Sequence, residues 1–233
     1  MRPLTATELI DHWESGLQQS LLDRMLRLLS TACGVDPEQI ASLSIGERDA
    51  RLLQLREWIF GSRLLNIAYC PHCAEKVEWE SAVQQLRLQS CLQADVPAAR
   101  SLETAGYTIR YRLPNTLDIC AAYTNAEALL QRCILEVQPA AEPALPEQVA
   151  AALMQRMSEE DPQADIRMLL NCPACGHQWE ALFDIASYLW AEVHQWALRL
   201  LQEVGLLASA FGWSEKEILN MSAQRRQLYL EMI

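Results

Sequence analysis

Two short cysteine pairs, Cys70-Pro71-His72-Cys73 and Cys172-Pro173-Ala174-Cys175, constrain this chain more than any other feature. Each is a C-P-x-C turn followed by residues that alternate like a β-strand. After the first comes Lys76-Val77-Glu78-Trp79-Glu80, and after the second Gln178-Trp179-Glu180-Ala181-Leu182-Phe183. The stretch from Tyr69 to Glu80 is thus weakly repeated from Asn171 to Glu180, with the tryptophan offset by one or two positions. Four thiolates in two tight turns are what one tetrahedral metal ion needs. If one ion takes all four, residues 74–171 must leave and return, and a single bond set governs the topology.

A zinc ribbon consists of two such hairpins. The C-x-x-C spacing lets two sulfurs reach one ion while backbone N–H groups of the turn donate to them. A closed Cys₄ site leaves no open coordination position, so it is structural and not catalytic. It supplies on the order of 10 kcal/mol of folding free energy. The expected ligands are Cys70, Cys73, Cys172 and Cys175, holding one Zn²⁺ per chain. An iron–sulfur cluster could use the same ligands. Gly176 follows the second turn and permits positive φ, whereas Ala74 holds the equivalent place in the first. His72 and His177 read as exposed turn residues.

Another chemistry shares the motif. Cys70-Pro71-His72-Cys73 also looks like the redox pair of thiol–disulfide oxidoreductases, whose first cysteine follows a strand and opens a helix. Here a helical pattern precedes the motif and a strand pattern follows it. A zinc-ribbon adaptor in some other protein complex is a further alternative. No G-x-S-x-G, phosphate-binding glycine loop or H-E-x-x-H occurs. His194 lies near an apolar helix stripe and reads as a satisfied helix histidine, and Glu159-Glu160-Asp161 as a solvated helix end.

At 233 residues the chain can bury roughly 70% of its unfolded surface, so a core forms without staples. Its eight cysteines fit metal binding in a reducing compartment better than a disulfide scaffold. Cys33, Cys91, Cys120 and Cys133 lack ligand spacing and read as small core residues. The net charge of -11 disfavours binding to phosphate backbones or anionic lipid. Neither a signal peptide nor an apolar run of about 18 residues is visible, and a cytoplasmic protein is expected. Seven tryptophans are many for this length; they read mainly as core packing, with interface anchoring as the functional alternative.

Periodicity predicts one helix over 5–32, capped by Thr5-x-x-Glu8 and stopped near Gly34, a short turn or helix at Asp36-Pro37, and a helix over 45–60 opened by Ser44-x-x-Glu47. Leu86, Leu88 and Tyr107–Leu113 look like strands, Pro114-Asn115-Thr116 like a turn, and Thr124–Val137 like a helix capped by Thr124 or Asn125. A proline-rich connector, 138–146, precedes a helix over 146–160. The longest helix runs from Asp184 to about Ala210, and short helices at 215–220 and 222–231 close the chain.

Some segments resemble a known family. Glu47-Arg48-Asp49-Ala50-Arg51-Leu52-Leu53, with Leu55-Arg56 and Phe60-Gly61 and then a C-P-x-C turn, is similar to the phage T4-like baseplate hub assembly family. The closing segment Ala210-Phe211-Gly212-Trp213-Ser214-Glu215-Lys216-Glu217-Ile218-Leu219, with Arg225-Arg226 and Tyr229-Leu230, is similar as well. The resemblance covers roughly 44–80 and 167–233. It implies a noncatalytic part or assembly factor of a contractile-tail baseplate, held by contacts with other baseplate or tail proteins, and it transfers no active-site residues. The expected partners include no nucleic acid, membrane or small-molecule substrate. Trp213 and the last two helices are the candidate partner surface. The expected fold class is α+β, mainly helical: a split Cys₄ zinc ribbon (64–80 and 167–183) with a mixed insertion (81–166) and flanking helices (1–63 and 184–233).

Overall fold

Capping residues and apolar periodicity set the order of elements in the computed structural model, which describes residues 1–88, 99–122, 125–139 and 145–233. Helices α1 (Ala6–Gly16), α2 (Leu21–Cys33), α3 (Pro37–Ala41) and α4 (Ile45–Phe60) come first. Strands β1 (Arg63–Tyr69) and β2 (Lys76–Ala82) follow, then the single turn α5 (Val83–Leu86). The middle holds β3 (Arg100–Thr104), β4 (Tyr107–Tyr111), α6 (Thr116–Ala122), α7 (Ala126–Cys133), β5 (Ile134–Gln138) and α8 (Glu147–Glu160). A 3₁₀ turn at Pro162–Ala164 leads into β6 (Arg167–Asn171) and β7 (Gln178–Leu182), and α9 (Ile185–Phe211), α10 (Glu215–Leu219) and α11 (Ala223–Leu230) close the chain. Over the described residues the fold is mixed α+β, 56% helix and 19% strand, which bears out a mainly helical chain.

The chain divides into two compact units, Met1–Gly34 with Ala186–Ile233, and Val35–Ile185. In the first, Leu9, Ile10 and Trp13 of α1 and Met25, Leu28 and Leu29 of α2 are buried, and so are Leu189, Val193, Leu200 and Val204 of α9; Trp196, on the same apolar period of α9, is only half-buried. The Trp13 indole N–H donates to His194 Nδ1 at 2.9 Å, so His194 is a satisfied helix histidine. The predicted helix over 5–32 is two helices. Gly16 ends the first, where a Cβ would lie 2.8 Å from the Trp190 ring. Ser20 starts the second by accepting the Asp23 N–H at 3.2 Å. A local cap and a close ring contact thus override a continuous apolar period.

In the second unit α4 is the buried element: Leu52, Leu53 and Leu55 are fully covered. Three antiparallel sheets follow it in the chain, β1–β2, β3–β4–β5 and β6–β7. The insertion has its own apolar core of Ile109, Tyr111, Leu130, Cys133, Val149 and Leu153 with their neighbours. The predicted helix over 124–137 stops at Cys133. Ile134–Gln138 instead pairs with β4, because a β-branched, alternating run fits a sheet surface better than a helix. Asn125 is the cap, accepting the Ala128 N–H at 3.0 Å. Pro114-Asn115-Thr116 is a helix entry, with Asn115 Oδ1 accepting the Asp118 N–H at 3.1 Å. Leu86 ends a single helical turn and is not in a strand.

Several expectations about burial are corrected. Cys133 is buried, but Cys120 is exposed and Cys33 half-buried. Cys91, Thr124 and 140–144 of the proline-rich connector lie outside the described residues. Among the tryptophans only Trp13 is buried, and Trp58 is 42% exposed. Asp161 is no solvated helix end; it is 6% exposed and its Oδ2 accepts the Gly46 N–H at 3.0 Å.

Asp118 is the electrostatic pivot of the insertion. Its side chain is 1% exposed and faces the guanidinium groups of Arg112 and Arg132. Burial pushes its carboxyl up, but Arg112, the Asn115 amide and Arg132 outweigh that and hold it below its ordinary value of 3.8. A depressed carboxylate stabilises the fold fully above the unfolded pKa and loses that contribution as the pH falls through the folded one. Asp118→Asn should therefore cost about 2 kcal/mol at neutral pH in urea unfolding, the scale of lost charge-assisted hydrogen bonds. The gap from wild type should close as the pH drops below about 4; a gap independent of pH would remove the charge from the account.

Candidate metal centre

Each C-P-x-C motif is the tip of an antiparallel hairpin. In the first, Tyr69 pairs with Lys76 and Arg63 with Ala82. In the second, Asn171 pairs with Gln178 and Arg167 with Leu182. The two tips close with the same backbone bonds. Cys70 N–H donates to Glu75 O at 2.9 Å, and Ala74 N–H to Cys70 O at 2.8 Å. Cys172 N–H donates to His177 O, and Gly176 N–H to Cys172 O, both at 2.9 Å. The weak sequence repeat is a faithful repeat of backbone.

Both tips need one residue at positive φ, and the chain places it as the alignment implied, at Ala74 (φ 60°) and Gly176 (φ 71°). The left-handed region is free for glycine and costs an L-residue roughly 1–2 kcal/mol.

The bases of the hairpins are tied to α4. β1 follows α4 directly after Gly61, where Arg56 donates to the Gly61 carbonyl at 2.6 Å. On the other side, the fully buried Gln163 spans the two hairpin bases. Its Nε2 donates to Leu86 O at 3.0 Å, and its Oε1 accepts Leu88 N–H at 2.7 Å. Asp161, two residues earlier, bonds to Gly46 at the start of α4. Sequence reasoning missed Gln163 and misplaced Asp161. Polar residues beside Pro162 would also mark a solvent-exposed turn; the more specific signal was Gly46 in the first turn of α4.

This frame brings Cys70, Cys73, Cys172 and Cys175 together, with all four sulfurs within 4.8 Å of one another. The closest approaches cross between hairpins: Cys70 Sγ to Cys175 Sγ is 3.7 Å and Cys73 Sγ to Cys172 Sγ is 3.6 Å. Cys70 and Cys172 are buried; Cys73 and Cys175 face solvent. Backbone amides aim at the sulfurs, Glu75 at Cys73 and His177 at Cys175. For Cys172, burial raises the pKa, but the amides of Cys175 and Ala174 and the nearby sulfurs bring it down to about 7. For Cys73, the Glu75 amide lowers the pKa, but the three neighbouring sulfurs push it up to about 12. Sulfurs this close cannot all ionise unless a cation lies among them.

The histidines stay outside the sulfur group. His72 and His177 are exposed, their rings stacked at 5.7 Å, with Trp179 stacked on His177 at 6.2 Å. A strand follows Cys73 where an oxidoreductase would have a helix, so the motif does not open a helix. No helix among the described residues is long and apolar enough to cross a membrane.

The two positive-φ positions make a paired test. Ala74→Gly should stabilise the protein by up to about 1 kcal/mol, as left-handed strain is exchanged for chain entropy, and Gly176→Ala should destabilise it by about 1–2 kcal/mol. Opposite-signed shifts in thermal midpoint are expected; shifts of the same sign would show that the two turns are not equivalent.

No curated protein and no solved structure matches the chain. A family model described as T4 bacteriophage base plate protein matches residues 4–190. The match takes in the N-terminal helices, α4, both cysteine hairpins and the insertion between them, and it stops early in α9. Of the resemblance placed on 44–80 and 167–233, the match takes in 44–80 and 167–190 and adds the N-terminal helices and the middle of the chain, while the closing segment at 210–230 lies outside it. By that match over most of its length, the chain belongs to the T4 bacteriophage base plate protein family.

Proposed function

We propose that the chain is a noncatalytic structural or assembly component of a contractile-tail baseplate, with its two cysteine hairpins joined as a split zinc ribbon. Family membership supports the baseplate role and contacts with other baseplate or tail proteins. One Zn²⁺ held by Cys70, Cys73, Cys172 and Cys175 would serve as a strut, and the insertion 81–166, with its own core, as a subdomain carried on it. Such a component would end up in, or act on, a tail particle.

The spacing of the sulfurs is the observation that carries the metal reading. A tetrahedron with metal–sulfur bonds of roughly 2.3 Å has sulfur–sulfur edges of about 3.8 Å. The two cross-hairpin distances, 3.7 and 3.6 Å, are close to that edge. In an iron–sulfur cluster the four thiolates bind more than one iron, which spreads the sulfurs beyond a single tetrahedron. The packing therefore favours a single ion. Four thiolate ligands with no open position favour a structural site. Zinc would also relieve the repulsion that keeps the four sulfurs from ionising together.

Elemental analysis of protein purified without added metal should give close to one zinc per chain and no stoichiometric iron. Stripping with a strong chelator should lower the thermal midpoint by more than ten degrees, given a site contributing on the order of 10 kcal/mol. Cys172→Ser should lose zinc, while Cys120→Ser keeps it. Stable, metal-free protein with wild-type melting behaviour would end the zinc reading while leaving family membership intact.

A further inference from the structure

A hollow of about 260 Å³ lies in the Val35–Ile185 unit, against α7, α8 and the start of α4. Its walls are mostly apolar, with Ile45, Leu129, Met154 and Met157 prominent, and Asp161 lies among them. Met154 and Ser158 on its lining are exposed, so it opens to solvent. The volume is below the roughly 300–1,000 Å³ of sites for whole small molecules. It suits one long side chain.

Asp161 makes the hollow chemically specific. Its Oδ2 accepts the Gly46 N–H, and a Cβ on residue 46 would collide with Oδ1 at 1.8 Å, so the carboxylate is locked against the first turn of α4. Yet among the described residues it has no cationic partner. The arginines of neighbouring segments are engaged: Arg48 with Asp49 at 2.7 Å and Thr116 at 3.0 Å, and Arg167 with Asp165 at 3.0 Å. Arg48 is held by Asp49, whose carboxyl is pushed up mainly by burial, so that arginine is committed to its own partner. A purely apolar occupant would bury Asp161 further without a counter-charge, which is costly. Among the described residues only the four cysteines group as metal ligands, so a cation held by carboxylates is not favoured here.

We propose that this hollow receives an arginine side chain of a partner protein, its methylene stem against Met154, Met157 and Leu129 and its guanidinium on Asp161. Arginine fits better than lysine because its planar fork can bond Asp161 and a second acceptor at the mouth, Ser158 or Asp165. Arginine is also enriched and lysine depleted at protein interfaces. The assignment rests on the reading that the chain works through contacts with other tail proteins, and it is independent of the zinc site.

The probe is N-acetyl-arginine methylamide, with its citrulline counterpart as neutral isostere, titrated into the full chain labelled at the methionine methyls. The arginine probe should move the Met154 and Met157 signals and leave Met25 unmoved, and citrulline should bind at least about tenfold more weakly. Asp161→Asn keeps an oxygen for the Gly46 amide and should abolish the preference for arginine; Met154→Ala at the mouth should weaken the arginine probe in a folded chain. Equal response to both probes, or no shift at Met154 and Met157 at saturating millimolar concentration, would overturn the proposal. Zinc content measured on the same samples reports separately on the metal reading.

Discussion

Four sulfurs within 4.8 Å of one another, carried on turns with residues 74–171 between them, are the contact on which this fold depends. The arrangement is unstable by itself, because neighbouring thiols in a crowded site resist ionising together. It is stable when the backbone fixes the sulfurs and a cation neutralises them. The protein contributes the first part by repeating one turn twice, with the same two hydrogen bonds and the same positive-φ position. Both hairpins are short two-stranded ribbons, a size that is marginal alone in water. Gln163 ties the bases of the two ribbons, and the proposed ion would tie their tips.

Much of this was legible in the sequence, because it depended on local patterns. The C-P-x-C spacing, the alternation after each turn, and the caps at Thr5 and Ser44 each act over a few residues; Thr5 and Glu8 form the full box, and Ser44 accepts the Glu47 N–H. The position of Ala74 opposite Gly176 was readable for the same reason. What failed depended on a partner distant in sequence. The break after Gly16 needs Trp190, and the strand at Ile134–Gln138 needs β4 as its neighbour. Helix propensity for the segment before Cys133 was correct; it simply could not show where the sheet begins.

The candidate site shows the same division. The four cysteines were identifiable from spacing, whereas the residues that hold their hairpins were not. Gln163 is 1% exposed and Asp161 6%, yet in sequence both sit in a polar, proline-containing stretch that reads as surface. Nothing in residue type distinguishes a solvated Asp from one locked under a helix start. The distinguishing signal was Gly46, a glycine in the first turn of a helix, where alanine would serve better unless space were required.

The acidity of the chain also acquires a structural meaning. Several carboxylates lie at helix starts: Glu8 and Glu217 close capping boxes, Asp118 bonds the Asn115 amide, and Asp161 bonds Gly46. Negative charge there satisfies backbone N–H groups and complements the helix dipole. Part of the excess of 30 Asp and Glu over 19 Lys and Arg is therefore architectural. Glu8 and Asp118 are neutralised internally, by Arg2 and by Arg112 with Arg132. Asp161 differs from them: it is as fixed as a structural cap but, among the described residues, has no arginine as partner. A charge held rigid, half-enclosed by apolar walls and left uncompensated is poorly explained by folding alone. It fits a surface whose last ion pair forms when another chain arrives.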